Sequence, residues 1–526
     1  MGKPMIDTPS TEAALDRLRR AARHLARAHQ QGDPEARARL RAASPRPDGT
    51  ALKHADYLHV LAREQGFASW PALKAAYETR GMDRAQKLQR LKIAIHHGQV
   101  AVVERLLADT PDLADGALGV EIALYRRAAV AAALARDPEA AVRPLGVSPP
   151  LVQLCQSRMF RHWPHRQEDM MAIAEMLRAG GADLDLGPQA EPGSEHRLSP
   201  LYFALGHAGN LRLARWLLEH GASPNDNESL YHATELGHRE GLRLLLEFGA
   251  DPAGTNAVPR AMDFHDLAAV QMLLEAGANP NEGADGVPPV PGTFAGAVVP
   301  LLHQAARRHS DGPMIDLLLA AGADPAARWK GISAYTYAAV YGNAAMLSRL
   351  EAVGAAHPLD ETQALLAAAA RGEVPEGRYL NFDEVPEAFQ NLPRELLYLP
   401  GRLPHLRALF AVGFPWDRPD AEGLTPVQVA GWEGLPEIMA YLLSLKPDLS
   451  HVNGFGGTLL STIVHGSENC PARAERDHVA CARLALEEGV ALPRRAPDFA
   501  VDPDMAAFLA DWAEAHPGQV VEHGVV

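Results

Sequence analysis

The sequence has few cysteines, no long apolar run and no excess of positive charge, and each of these absences excludes a class of protein. Its 526 residues include only three cysteines. An odd number at wide spacing gives neither a disulfide framework nor a cysteine-built zinc site, so we expect free thiols. No stretch of about 18 apolar residues occurs, and no transmembrane helix is predicted. The three cysteines are Cys155, Cys470 and Cys481.

The charge balance argues against two classes of partner. The chain has 50 basic and 65 acidic residues, a net charge of −15. Nucleic acids and anionic membranes bind clustered positive charge, so we expect neither as a partner. The first residues contain no apolar stretch after their charges, which predicts no secretory leader and favours a cytoplasmic protein. Residues 1–50 are locally basic, with ten Lys/Arg against six Asp/Glu, as in a solvated helix face.

What the sequence does contain is a repeated phrase. Variants of one pattern, a leucine pair followed by Gly-Ala and a turn, stand at 217–225, 245–252, 273–281 and 317–325. The spacing around this pattern is strict. In several copies another glycine, suited to a turn, stands twelve positions before the glycine of the pattern. Self-similarity at a fixed period is the signature of a repeat architecture.

Each copy predicts a helix hairpin. In residues 229–249 a short first helix reaches the turn at Gly237, and a leucine-rich second helix ends at Gly249. Glycine suits both places because it adopts the left-handed conformation without steric cost. The leucine pairs of three copies are predicted to be buried between stacked helices: Leu217, Leu218, Leu245, Leu246, Leu273 and Leu274.

The pattern resembles the ankyrin family, whose motif reads roughly T-P-L-H-x-A-A-x-x-G and then L-L-x-x-G-A-D. The best matches are residues 199–210, 300–308 and 424–435. The resemblance implies an all-α ankyrin-repeat solenoid of about ten to eleven stacked helix-turn-helix units. These units span residues 85–495 and are irregular at 360–417, where residues 373–400 carry no ankyrin pattern.

The two flanks have no repeat register. Residues 1–84 predict helices that cap the exposed end of the repeats, and their phrase AREQGFASWPALK is similar to a segment in a group of bacterial ankyrin proteins. Residues 496–526 predict one helix, starting near Asp502, and a tail. The long loops at 184–197 and 281–299 either belong to a binding face or are insertions that a surface loop tolerates without a function.

Few residues point to chemistry. His162, His165 and Glu168 could lie on one side of a short metal-binding segment, but Pro164 interrupts the helix that would align them. No phosphate-binding loop or GxSxG motif occurs, and the GFGG of residues 454–457 is interpreted as an inter-repeat turn. We therefore expect no catalytic residue, no cofactor and no metal.

The family resemblance implies a protein-binding scaffold with no chemistry of its own, a protein partner and a monomeric chain. The two residues before each turn glycine lie on the first helix, toward the concave side, and are not needed for stacking. The alternatives are that the aromatic members pack on neighbouring first helices, or that an enzyme or effector site lies in a flank, 1–80 or 373–400. The candidate partner-binding residues are His96, His97, Glu235, Leu236, Arg307, Arg308, Tyr341, Trp432 and Glu433.

Overall fold

The computed structural model describes residues 11–43, 52, 54–291, 298–500 and 502–522. The chain divides into two compact units. The middle unit comprises residues 71–305 and 310–331, and the terminal unit comprises residues 1–70, 306–309 and 332–526. Both ends of the chain therefore belong to one unit. The loop predicted at 281–299 lies partly outside the described residues.

Regular structure in the described residues is almost entirely helical, which confirms the all-α class. The first helices are α1 (Thr11–Gln30), α2 (Pro34–Ala43), α3 (His54–Glu64), α4 (Trp70–Glu78), α5 (Arg84–His96), α6 (Val100–Asp109), α7 (Leu118–Ala123), α8 (Arg127–Arg136), α9 (Pro150–Cys155) and α10 (Gln167–Ala179). The next are α11 (Pro200–Tyr202), α12 (Leu211–Glu219), α13 (Ser229–Ala233), α14 (Glu240–Glu247), α15 (Ala257–Asp263), α16 (Leu267–Glu275), α17 (Leu301–Arg307) and α18 (Gly312–Ala320).

The later helices are α19 (Ala334–Tyr341), α20 (Ala344–Ala352), α21 (Glu361–Ala370), α22 (Leu392–Leu397), α23 (Leu403–Ala411), α24 (Pro426–Trp432), α25 (Pro436–Ser444), α26 (Leu459–Asn469), α27 (His478–Glu487), α28 (Ala496–Phe499) and α29 (Pro503–Ala515). The strands have two residues each: β1 (Arg328–Trp329), β2 (Ile332–Ser333), β3 (Leu492–Pro493) and β4 (Val520–Val521). β3 and β4 pair in parallel.

The predicted hairpin of residues 229–249 is present as α13 and α14. Gly237 and Gly249 have φ angles of 73° and 82°. This left-handed region is costly for side chains with a Cβ, which is why glycine stands at both turns. Capping side chains within a few residues likewise determine where other helices begin. Thr425 and Gln428 form a capping box at the start of α24, with a proline in its first turn.

The leucine pairs divide into two classes. The first leucine of each pair, at 217, 245 and 273, is fully buried. The second leucine is buried at Leu218 but only half-buried at Leu246 and Leu274. The prediction that all six are buried is therefore wrong for these two. Successive helical residues differ by about 100° around the axis, so the second position reaches the edge of the interface.

The irregular unit is split as its sequence predicts. Helix α21 contacts α23 as a hairpin partner, and residues 373–400 form the connection between them. This connection contains two short 3₁₀ turns and α22, and it buries Phe389, Leu392 and Leu396. We call residues 373–400 the insertion.

The N-terminal helices pack into a small core built on Leu25, Leu40 and Leu58. Arg23 and Arg27 of α1 also pair with Asp511 of α29, at 3.0 and 3.3 Å. The predicted C-terminal helix thus forms, with Asp502 as its N-cap, and it contacts the other end of the chain. Among the described residues, no helix has both the length and the apolar character needed to cross a bilayer.

Candidate binding groove

In the middle unit, the predicted position Glu235 belongs to a chain of charges. His232 Nδ1 lies 2.7 Å from the Glu235 carboxylate, and its Nε2 lies 3.2 Å from Glu228. Burial alone would lower the pKa of His232, but the hydrogen bonds to Glu228 and Glu235 outweigh it and raise the pKa to about 9. Arg260 pairs with the other oxygen of Glu235 at 2.6 Å. The polar groups of this surface therefore bind one another.

The other predicted positions of the middle unit differ in their exposure. Leu236 is half-buried, and His96 and His97 are exposed at the end of α5. The ring of His96 stacks on His207 with centroids 4.8 Å apart. Burial, reinforced by the charge of Arg158, lowers the pKa of His207 to about 4, so this ring is neutral near pH 7.

In the terminal unit, the structure corrects the prediction for Tyr341 and Arg307. Tyr341 is fully buried and donates a hydrogen bond to the Glu395 carboxylate at 2.7 Å. The Arg307 guanidinium donates to the same oxygen at 2.9 Å. Burial by itself would lower the pKa of Arg307, but the charge of Glu395 outweighs it and raises that pKa. Glu395 lies on α22, so the insertion covers Tyr341 completely and leaves the Arg307 side chain only 16% exposed.

Glu433 needs the same correction. Its side chain is buried, the Cys470 thiol donates to its carboxylate, and burial raises the pKa of the carboxyl group. Arg308 is half-buried. Glu433 precedes Gly434 and so holds the predicted sequence position, but at the end of the short α24 its side chain turns into the core.

Trp432, by contrast, lines an open groove with a volume of about 620 Å³. Its backbone is fixed from two sides. His478 Nε2 lies 2.8 Å from its carbonyl oxygen, and a Cβ at Gly466 would come within 2.3 Å of that oxygen. The indole ring lies beside His465 of α26, with centroids 5.1 Å apart. Among the described residues, the indole Nε1 has no hydrogen-bond partner, so this donor is available to a ligand.

The turn at residues 453–457 supplies a second aromatic side chain to the groove. Asn453 is buried, and its Oδ1 accepts hydrogen bonds from the backbone N–H groups of Phe455 and Gly457 at 3.0 and 2.8 Å. The Gly454 backbone N–H donates to the Glu422 carbonyl at 2.8 Å, and a Cβ at Gly454 would clash with that oxygen. The glycines let the turn pack tightly, and Phe455 extends from it with 75% of its surface exposed.

The remaining walls come from the insertion and from α28. Tyr398, just after α22, is 38% exposed, and Phe499 is 52% exposed. Arg394 stands beside Tyr398 and pairs with Asp420 at 2.5 Å and with Glu422 at 2.8 Å. The groove therefore combines four aromatic side chains with an arginine that is already paired to two carboxylates. We call it the aromatic groove, after Tyr398, Trp432, Phe455 and Phe499.

Of these aromatic side chains, the sequence-based hypothesis included only Trp432. Tyr398 and Phe499 lie outside the repeat register, and Phe455 lies in the GFGG segment that we interpreted as a simple turn. A signal for Phe455 was present, because a large aromatic residue among glycines has no role in a helix core. No sequence pattern around Tyr398 predicts a binding role, because this residue reaches the groove only through the fold of the insertion.

In the described part of the chain, no three His, Cys, Asp or Glu side chains are grouped as metal ligands would be. His165 lies in the 3₁₀ turn Pro164–Arg166, whereas Glu168 lies in α10, so they do not share one regular helix.

The family-model comparison agrees with this architecture. The family model "Ankyrin repeats (3 copies)" matches residues 201–284. Among solved structures, the human ASB11 ankyrin repeat domain is similar at 21% identity over 46% of this chain and 98% of that chain, with a TM-score of 0.32. A search of curated proteins finds no match. Residues 201–284 contain the hairpin described above, and this chain therefore carries ankyrin repeats.

Proposed function

We propose that this protein is a binding scaffold without chemistry of its own, and that the aromatic groove is where it binds a protein partner. Ankyrin repeats are in general protein–protein interaction modules. The observation that carries the proposal is the exposure of several large aromatic side chains in one concave site, Phe455 above all. Aromatic residues are enriched at the centres of protein interfaces, where they bury much area at little entropic cost.

The groove is also built to keep its shape. Asn453 fixes the turn that carries Phe455, and two backbone contacts fix Trp432. A site that is already ordered loses less conformational entropy on binding, which favours affinity. The groove therefore has both the surface and the rigidity that recognition requires.

A photo-crosslinking experiment tests the proposal. We would replace Phe455 by benzoyl-phenylalanine in the full chain and irradiate the cells that express it. The matched control carries the same amino acid at Phe264, a 44% exposed phenylalanine of the middle unit. We expect a discrete crosslinked protein from position 455 that is absent from position 264 and is lost when Trp432→Ala is added.

The melting temperature of Trp432→Ala must be measured beside it, because the ring also packs on His465. Equal crosslinking from both positions, or a crosslink from 455 that persists in folded Trp432→Ala, would contradict the proposed site.

Two further features of the proposal concern the environment and the assembly of the chain. Cys155, Cys470 and Cys481 are all buried and unpaired, as in proteins that work in a reducing compartment. We propose that the protein acts in the cytoplasm as a monomer. Sedimentation of the purified chain and fractionation of the cells that express it would test these two points.

A further inference from the structure

The negative charge of this protein is concentrated in one part of the chain. Residues 332–526 contain 13 Lys/Arg and 26 Asp/Glu, whereas residues 1–331 contain 37 and 39. Nearly all of the net charge of −15 therefore belongs to the segment that forms the aromatic groove. A surface of one sign raises the local concentration of oppositely charged partners and speeds their association.

The groove itself has the same sign. Its lining includes the carboxylates of Glu422 and Glu468 and one arginine, Arg394. Arg394 pairs with Glu422 and also with Asp420, whose side chain is almost fully buried. Asp420 and Glu422 thus outweigh the single arginine by one negative charge, and Glu468 lines the same groove. A cation entering the groove meets a negative environment, and an anion is repelled.

The aromatic side chains favour the same kind of ligand. The faces of Trp, Tyr and Phe rings attract guanidinium and ammonium groups, most strongly for Trp. The chain already shows this contact at Phe499, where the Arg495 guanidinium lies 4.7 Å from the ring centroid. The same rings accept aliphatic side chains through ordinary apolar burial. A segment with both apolar and cationic side chains would use each part of the lining.

We propose that the aromatic groove binds a segment of a protein partner in which apolar side chains stand next to Lys or Arg. This inference rests on the proposed function and adds the chemistry of the partner. The apolar side chains pack against Trp432 and Phe455, and the cationic ones face Glu422. A second copy of this chain would bring a like-charged segment to the groove, so charge opposes self-association through this surface.

Selection from a random-sequence peptide library displayed on phage tests the proposal on the full-length chain. The matched control is the Trp432→Ala/Phe455→Ala double variant, whose fold is verified by its melting curve. We expect peptides enriched on the wild type, but not on the double variant, to carry apolar residues beside an excess of Lys or Arg.

The possible failures are distinct. If no peptide enrichment depends on Trp432 and Phe455, the proposed function itself is contradicted. If the dependent peptides are neutral or acidic, the groove binds proteins but the basic-partner inference is overturned. A wild-type dimer in sedimentation that dissociates in the double variant would identify a second copy as the occupant and also overturn it.

A variant that replaces one carboxylate by a neutral amide measures the electrostatic contribution to peptide binding directly. We expect Glu422→Gln to weaken binding of a selected peptide about two- to fivefold, the range of one exposed ion pair, with the difference shrinking at high salt. The control is Glu437→Gln, an exposed carboxylate on α25 that does not line the groove. Equal affinities for wild type and Glu422→Gln at low salt would overturn the proposed role of charge.

Discussion

The two units of this protein carry the same repeat chemistry but use the free positions of their first helices differently. In the middle unit these positions hold charges that bind one another, as in the chain from Glu228 through His232 and Glu235 to Arg260. In the terminal unit the corresponding region carries two large aromatic side chains, Tyr341 and Trp432, beside charged ones. Part of it, around Tyr341, is buried by the insertion, and part of it, around Trp432, is open.

This difference shows that the repeat pattern predicts where a residue lies along its helix but not whether its side chain is buried or exposed. Glu433 and Glu235 both belong to the two residues that precede a turn glycine, yet the Glu433 carboxylate is buried and the Glu235 carboxylate is on the surface. What decides between these outcomes is the neighbouring chain: Glu235 has an ion-pair partner one repeat away in Arg260, whereas Glu433 is buried beside Cys470. Four predictions test whether the two units differ only in this way.

The largest losses of stability should be the same in both units, because both units are built on the same kind of leucine core. Leu245→Ala in the middle unit and Leu442→Ala in the terminal unit remove fully buried leucines. Each should lower the free energy of unfolding by about 2–5 kcal/mol, measured by urea denaturation. Leu246→Ala, at a half-buried position, should cost clearly less. A similar loss at 245 and 246 would show that the second leucine is a core residue after all.

The next effect is specific to the terminal unit. Glu395→Gln removes the charge that Arg307 and Tyr341 share beneath the insertion. It should destabilise the protein by about 2–4 kcal/mol, because it leaves a largely buried guanidinium without its counter-charge. Glu373→Gln, at an exposed ion pair with Arg371 in the same insertion, serves as the control and should change stability little. Unchanged stability in Glu395→Gln would mean that the insertion is held by apolar contacts alone.

The terminal unit should also carry an acid sensitivity at His405. Burial lowers the pKa of this imidazole to about 3, and neither ring nitrogen has a hydrogen-bond partner among the described residues. The unfolded chain takes up the proton near pH 6.5, so stability is lost as the pH falls below that value. His405→Leu should remove a loss of roughly 2–3 kcal/mol between pH 7 and about pH 4. Parallel stability curves for wild type and variant over this range would argue against the lowered pKa.

The middle unit should show the opposite dependence at His232. Its pKa is raised to about 9, so its stabilising charge is fully present below about pH 6.5 and is lost as the pH rises through 9. Because the site is partly exposed, His232→Gln should cost only about 1–2 kcal/mol near neutral pH, and the difference from wild type should vanish above about pH 10. A difference that persists at that pH would show a packing role instead.

Much of the local structure could be predicted from the sequence. The hairpin of residues 229–249, its glycine turns and the start of the C-terminal helix at Asp502 depend on residues a few positions apart, and these are confirmed. Burial was harder to predict. The hypothesis treated Trp432 and Tyr341 as equivalent, and only Trp432 lines a groove. Whether Trp432 binds a partner stays a prediction.

The sequence by itself determined the repeat, because helix periodicity, capping and turn preference act over short distances. The tertiary structure decided which positions stay open. The insertion places Glu395 on Arg307 and Tyr341, residues 88 and 54 positions away, and it brings Tyr398 to the groove. Charges likewise face one another only after the helices are stacked. Such contacts depend on the path of the whole chain, and no local pattern in the sequence encodes that path.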